Sequence, residues 1–460
     1  MAAFRFDEIA RITGGRLRHG APSTLVRDYG IDSRSVIPGV LFFAVSGRRD
    51  GHDFVGDAAA RGAAGAVVSR PMAVPRPDFG LVEVRDTVTA LQELGRAALL
   101  RRPVKVVGIT GSVGKTTTKE FAAALLGRRF RVLRSEGNFN NHLGLALSLL
   151  RLEPEHELAV LEMGMSAAGE IRALTRIAPP DVAVITNISP VHMEFFASLE
   201  DVARAKKEIL DGAAEGAVAV LNGDDALVRA LAAGWPGRTM TFGTDPACDV
   251  RAADVRRRGF EGLDLTLSYG RDRAPVRFPF VNEAHVPNLL AAVAVALALG
   301  LKLEEIVPVI PELKPFARRG ILEETAGLRL YDDSYNSSPR ALEAVLKNLA
   351  GLPAARKVAV LADMLELGES ERMFHRRAGK RLVEAGWDVL VAVGPLAAFI
   401  AEGAAEAGMR RTAIHLFPDA DAAAEAVPGI VRPGDLVLVK GSRGMRTERV
   451  VAELRAKGKE

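Results

Sequence analysis

Short apolar runs, closed by glycines and polar turn residues, recur along this chain in three sections. Residues 1–101 mix short strands with helices and carry turn signals such as "GIDSRSVIPGVLFFAVSG". From 102 to 314, compact runs alternate with helical patterns: "VKVVGIT", "ELAVLEMG", "DVAVITN" and "AVAVLN". Runs of this length, rich in Val, Ile and Leu, read as buried parallel strands joined by crossover helices. The alternation restarts from 315 with "LRLYDD", "KVAVLAD", "VLVAVG" and "DLVLVKG". The predicted fold class is α/β in three domains. A small mixed α/β domain spans 1–101, a mainly parallel sheet spans 102–314, and a Rossmann-like α/β domain spans 315–460. "PELKPFARRG" reads as a hinge between the last two.

Composition fits that picture. The chain has 460 residues, too many for one core. At 48% hydrophobic but 5% aromatic residues, its cores must rest on Ala, Val and Leu, as in helices packed on parallel sheets. Net charge is +4 from 61 basic and 57 acidic residues, with no basic run, which argues against nucleic acid as a partner. A single cysteine, Cys248, excludes an internal disulfide and a cysteine-based zinc site. The opening "MAAFRFDEIARITGG" has acidic residues and no apolar core, so no signal peptide is expected there. The longest apolar stretch, "LLAAVAVALALGL", is too short to span a bilayer. The expectation is a cytoplasmic, disulfide-free protein without membrane insertion.

The first specific chemistry lies between "VKVVGIT" and the helical "KTTTKEFAAALL". There Gly111, Ser112, Val113, Gly114, Lys115 and Thr116 form a Gly-x-x-Gly-Lys-Thr core in a strand–turn–helix context. Glycines let the backbone turn its N–H groups inward, and the helix N-terminus adds its positive end. Lys115 would reach β- and γ-phosphates, and the Thr116 hydroxyl would ligate magnesium. The full phosphate-loop pattern wants a glycine at 109; Ile109 stands there, with Gly108 one residue out of register. The loop is expected to hold a nucleoside triphosphate. In an open α/β sheet the ligand lies beyond the carboxyl ends of the strands. "ELAVLEMGMS" places Glu162 at such an end, either as a metal ligand or as a cap or surface carboxylate. "DVAVITNISPVHMEFF" places Thr186 and Asn187 at another, with His192 and Glu194 downstream; a lone histidine is usually structural. In "NFNNHLGLALSLL" the asparagines either cap a helix or contact substrate. The lysines of "ARAKKEIL" read as solvated helix residues.

These motifs together resemble the Mur ligases, ATP-dependent amide-forming enzymes of peptidoglycan precursor synthesis, over nearly the whole chain. "DSRSVIPGVLFFAVSGRRDGHDFVGDAAARGAAGAVV" is similar to the family's uridine-diphosphate-binding domain. "ITGSVGKTTTK", "NFNNHLGLALSLL", "EMGMSAAGEI" and "TNISPVHMEFFASLEDVARAKKEI" resemble the central P-loop ATPase domain of the D-alanyl-D-alanine-adding members. "DDSYNSSPRALEAVL", "LADMLELGE" and "KGSRGMRTERV" resemble their C-terminal domain. The branch that adds a single amino acid would show Ser-His after the strand glutamate and Tyr-Ala-His where Asp333-Ser334-Tyr335-Asn336 stands; a ligase of that kind is the alternative reading. The N-terminal domain argues against a folate enzyme, and the intact Lys115, Thr116, Glu162, His192 and Lys206 against a binding protein that has lost ligation.

The resemblance implies ATP and Mg²⁺ as cofactors, and UDP-N-acetylmuramoyl-tripeptide and D-alanyl-D-alanine as substrates of a monomeric enzyme. It implies that the tripeptide carboxylate is phosphorylated and the dipeptide amine then displaces phosphate. By motif it assigns the phosphates to residues 111–116 and Thr117, and one magnesium to Thr116 and Glu162. His192 and Lys206, the latter as a carbamate, would hold a second. Asn288, Arg318 or Arg319, and Asp333 fall to the nucleotide. Ser33, Arg34, Asn140, Asn141, Tyr335, Asn336, Lys440, Ser442 and Arg443 fall to the substrates. Several positions depart from the family pattern. Ser189 and Ala362 replace glycines, and Ser337 and Ser338 replace Ala and Asn. Of a Gly-x-His-Asn-x-x-Asn motif on the adenine side, Asn282, Ala284 and His285 differ and Asn288 remains.

Overall fold

The structure, a computed structural model, describes residues 1–190, 194–316 and 318–458. Three large sheets organise it, in keeping with three α/β domains, beside a two-stranded one that pairs Phe4–Arg5 with Leu25–Val26. The first has five strands in the order Arg16–His19, Gly80–Glu83, Gly65–Val68, Val40–Phe43 and Asp28–Gly30, all parallel except the first. The helix Thr87–Leu100 begins at Asp86, whose carboxylate accepts the Thr89 N–H at 2.6 Å. It docks this domain on the next one. A Cβ on Gly95 would lie 2.9 Å from the Ala146 backbone, so only glycine permits that helix–helix approach. Ala146, Leu147 and Leu150 accordingly join the N-terminal core.

The central sheet has nine strands, from Val132–Arg134 at one edge through Leu158–Glu162, Lys105–Thr110, Val182–Ile185, Val218–Asn222, Arg238–Gly243 and Val250–Arg257. These seven run parallel. Leu263–Tyr269 and Asp272–Phe278 then extend the sheet as antiparallel neighbours, which the reading of alternating strands and helices did not anticipate. The inner parallel strands Leu158–Glu162, Val182–Ile185 and Val218–Asn222 are almost wholly apolar and buried because helices cover both faces. On one face lies the helix Val286–Ala298, which holds most of the longest apolar stretch and is buried from Leu289 to Ala296. Among the described residues no helix is long and apolar enough to cross a membrane.

The third sheet has six strands in the order Ile321–Thr325, Leu328–Asp333, Asp435–Lys440, Arg356–Ala362, Val389–Val393 and Ile414–Phe417, parallel except the first pair. The last strand in sequence is thus inserted beside Leu328–Asp333, and its register sets Lys440 directly beside Asp333. This domain abuts the central one through a polar cluster. Arg257 Nη2 donates to Asn348 Oδ1 at 2.9 Å, and Asn348 Nδ2 donates to Asn282 Oδ1 at 2.8 Å.

Candidate active site

Three strand ends of the central sheet meet at the loop 111–114. Gly111 and Gly114 have φ of +145° and +89°, and a Cβ would strike Thr186 Oγ1 at the first and Asn288 Oδ1 at the second. The neighbouring strand end therefore shapes the loop. Val113 N donates to Asn187 Oδ1 at 3.0 Å, and Thr186 Oγ1 and Asn187 Nδ2 donate to Val113 O at 2.7 and 2.8 Å. Ser112 Oγ donates to Ser189 O and accepts the Ser189 N–H. The Ser189 hydroxyl itself has no partner among the described residues. The helix Lys115–Leu126 starts at this loop and points its N-terminus, with unpaired N–H groups, at the cleft.

Lys115 folds back, its Nζ donating to Gly111 O at 2.8 Å and Ser112 O at 3.3 Å. Burial holds its pKa below the usual lysine value; Glu162 opposes that shift and Arg319 adds to it. Thr116 Oγ1 donates to Glu162 Oε2 at 2.6 Å, and Asn140 Nδ2 to Glu162 Oε1 at 2.8 Å. Glu162 is 3% exposed. It is thus neither a cap nor a surface carboxylate but an oxygen donor held under the loop. Thr117 lies buried in the first helical turn, and Asn288 Oδ1 accepts from Thr118 Oγ1 at 3.4 Å. The adjacent asparagines part company: Asn141 Oδ1 accepts the Gly144 N–H at 2.9 Å and caps the helix His142–Leu150, while Asn140 reaches Glu162.

His192 lies outside the described residues. On the helix Leu199–Asp211, Lys207 faces outward in an ion pair with Asp211, as a solvated lysine should. Lys206 does not: it is 2% exposed, and among the described residues no carboxylate lies within ion-pairing distance. The expectation of a solvated residue fails here because the helix turns this position inward. Burial, followed by the Lys115 charge, holds its pKa well below the lysine range.

The C-terminal domain supplies a second cluster. Lys440 Nζ, 3% exposed, donates to Asp333 Oδ2 at 2.6 Å and to Asn336 O at 2.9 Å. Tyr335 lies between two guanidinium groups, Arg319 at 4.0 Å and Arg443 at 5.2 Å from the ring centre, and its hydroxyl accepts from Arg443 Nη1 at 2.9 Å. Arg318 instead turns to Glu448 at 2.8 Å, leaving Arg319 as the arginine whose charge acts on Lys115. Ser442 ties two loops together, its Oγ accepting the Leu365 N–H. His285, edge-on to Phe280, keeps Nδ1 buried without a partner among the described residues, and its pKa is pushed down to about 4 by burial and then by Lys440 and Arg319. Arg340 reaches back across the cleft to Ile188 O at 3.4 Å.

The N-terminal pair stands apart. Arg34 is 85% exposed and forks onto Asp32 at 2.9 and 2.7 Å, which holds that carboxyl at about 2, while Ser33 is buried. Among the described residues, neither Ser33 nor Arg34 bonds to the phosphate loop. Sequence reasoning missed Ser135, whose hydroxyl accepts the Glu162 N–H at 3.1 Å. A serine just past a short edge strand carries no signal for such a role.

Comparison with known proteins agrees with this arrangement. Family models match residues 26–104 (Mur ligase family, catalytic domain), 109–296 (Mur ligase middle domain) and 317–443 (Mur ligase, glutamate ligase domain). The UDP-N-acetylmuramoyl-tripeptide–D-alanyl-D-alanine ligase of Bacillus subtilis is 37% identical over 94% of this chain and 93% of its own. A crystal structure of MurF from Acinetobacter baumannii superposes with a TM-score of 0.90 at 32% identity, covering 99% of this chain and 100% of that one. MurF from Thermotoga maritima in complex with ADP gives 0.82 at 32% identity, covering 94% and 98%. The chain belongs to the Mur ligase family.

Proposed function

We propose that the cleft activates the terminal carboxylate of UDP-N-acetylmuramoyl-tripeptide with ATP and joins it to D-alanyl-D-alanine. The chain is an ATP-dependent, ADP-forming ligase of the D-alanyl-D-alanine-adding kind, acting in peptidoglycan precursor synthesis. The observation that carries the mechanism is the buried Thr116–Glu162 pair beneath the glycine-turned loop. In this reading 1–101 binds the nucleotide sugar through Ser33 and Arg34, 102–314 binds ATP, and 315–460 completes the ligase site. The enzyme acts in the cytoplasm as a monomer.

The donor set fits magnesium. Among the described residues no three His, Cys, Asp or Glu side chains gather, so a metal held wholly by protein is not indicated. One carboxylate and one hydroxyl suit a hard cation that keeps waters and phosphate oxygens as its other ligands. When bound by Thr116 and Glu162, magnesium neutralises phosphate charge. Lys206, as a carbamate, and His192 belong to a second such site. A carbamate forms from a neutral amine and carbon dioxide with release of a proton, and burial favours the neutral amine of Lys206.

Phosphoryl transfer asks the protein for positioning and charge stabilisation. Lys115 and the loop amides stabilise the transferring γ-phosphoryl group, which passes from ATP to a carboxylate oxygen as ADP leaves. The dipeptide amine then attacks the acyl carbon, a C–N bond forms, the C–O bond breaks, and inorganic phosphate departs. Tyr335, Asn336, Lys440, Ser442 and Arg443 line the acceptor side, with Asp333 and Arg319 toward the nucleotide. The test is phosphate release from ATP with each UDP-muramoyl peptide and each acceptor varied in turn. Release that needs both the tripeptide and D-alanyl-D-alanine is expected. Release with a shorter peptide and a single amino acid would favour the other branch.

A further inference from the structure

Lys119 lies one turn along the phosphate-loop helix from Lys115 and is 0% exposed. A buried ammonium is expensive, and an apolar side chain would fill the same space at lower cost. Its contacts suggest why it is there. Nζ donates to Ser135 O at 2.5 Å, pairs with Glu120 Oε1 at 2.9 Å, and lies 5.4 Å from the Phe316 ring centre. The other Glu120 oxygen meets Arg134 Nη1 at 2.7 Å.

Ser135 follows the edge strand Val132–Arg134, which the sheet holds on one side only, through Leu158–Glu162. Its hydroxyl accepts the Glu162 N–H, and Glu162 meets Thr116. Phe316 belongs to the linker into the C-terminal domain, three residues before Arg319. A continuous chain of contacts therefore runs from the linker ring to the Lys119 ammonium, to the Ser135 carbonyl, and through the Ser135 hydroxyl to the Glu162 backbone amide, at the residue whose carboxylate meets Thr116. We propose that Lys119 is a positioning residue that sets Glu162 for magnesium and makes that setting depend on where the linker lies. The proposal rests on the reading of Thr116 and Glu162 as magnesium ligands.

Removal of Lys119 alone leaves Glu120 short of a partner, so the double variant Lys119→Met/Glu120→Gln accompanies Lys119→Met. Ser135→Ala keeps the carbonyl that Lys119 holds and removes only the acceptor of the Glu162 amide. Calorimetry with a β,γ-methylene analogue of ATP, with and without magnesium, is the readout, with thermal unfolding as the check on folding. Outer partners of metal ligands typically change metal affinity by about 10- to 100-fold. The three variants are expected to lose the magnesium-dependent gain in nucleotide affinity by that factor, while metal-free affinity stays within about twofold of the parent. Phe316→Leu should give the same loss in smaller measure. Folded variants that keep the full gain overturn the proposal, as does an equal fall in metal-free affinity, which would place the damage in the loop. A Phe316→Leu protein identical to the parent removes the linker from it. A parent chain with no magnesium-dependent gain would instead overturn the underlying assignment of Thr116 and Glu162.

Discussion

Tyr335 offers a graded test of the C-terminal half of the site, because its ring and its hydroxyl do separable work. The ring is flanked by Arg319 at 4.0 Å and Arg443 at 5.2 Å, and the hydroxyl accepts from Arg443. Each cation–π contact at a half-exposed ring contributes about 0.5–1 kcal/mol. The hydrogen bond from a charged donor, discounted for its exposure, contributes about 1 kcal/mol. Tyr335→Phe removes the last only, about 1 kcal/mol or roughly fivefold at about 1.4 kcal/mol per decade. Tyr335→Leu removes all three, about 2–3 kcal/mol or roughly 30- to 150-fold. If the two guanidinium groups must be held toward the cleft for phosphoryl transfer and dipeptide binding, these factors appear in kcat/KM for D-alanyl-D-alanine, measured by phosphate release. Thermal unfolding should move little, since the residue is only half-buried. A Leu variant within twofold of the parent, or a Phe variant as impaired as Leu, would refute the idea that Tyr335 orders the arginines.

Lys115→Met should leave the fold intact and lower turnover by about 10²–10³-fold, as loss of one preorganised charge contact does; near-normal turnover would remove the loop from the mechanism. Gly114→Ala forces an L-residue to φ of +89° and drives its Cβ into Asn288, so calorimetry should show nucleotide affinity at least about tenfold weaker. An unchanged affinity would mean that the loop binds in some other conformation. Lys206→Ala should abolish ligation and Lys207→Ala should not, and activity of the parent should fall when bicarbonate is stripped and return when it is restored. An essential Lys207, whose side chain pairs with Asp211 at the surface, would overturn the assignment.

The parallel strands were legible because burial on both faces demands continuous apolar runs, as in Val182–Ile185, where every residue is buried. The antiparallel extension left a signal too. Leu263–Tyr269 alternates buried and half-buried residues at its start, the period-two mark of a strand with one wet face. It was obscured by the arginines of 251–258 and 271–277, which read as surface loop when strands are sought as apolar runs. Glu162 was legible as a strand-end residue, but the division of labour between Asn140 and Asn141 was not. One side chain type serves as helix cap and as hydrogen-bond donor to a carboxylate, and only the chain's path decides which does which.

Lys206 could have been read from periodicity and was not. The buried residues of its helix are Val202, Ala203, Ala205, Glu208, Ile209 and Leu210, so position 206 is four after Val202, three after Ala203, three before Ile209 and four before Leu210. That is the centre of the apolar stripe, while Lys207 lies off it. The prior that lysines are solvated outweighed the pattern. Yet a lysine at the centre of an apolar stripe, facing Lys115 and no carboxylate among the described residues, is the arrangement least compatible with a resting ammonium. The proposed carbamate would replace that ammonium by an anion. A carbamate accounts for both the burial and the neighbouring Lys115 charge, which an anion would draw upon rather than resist.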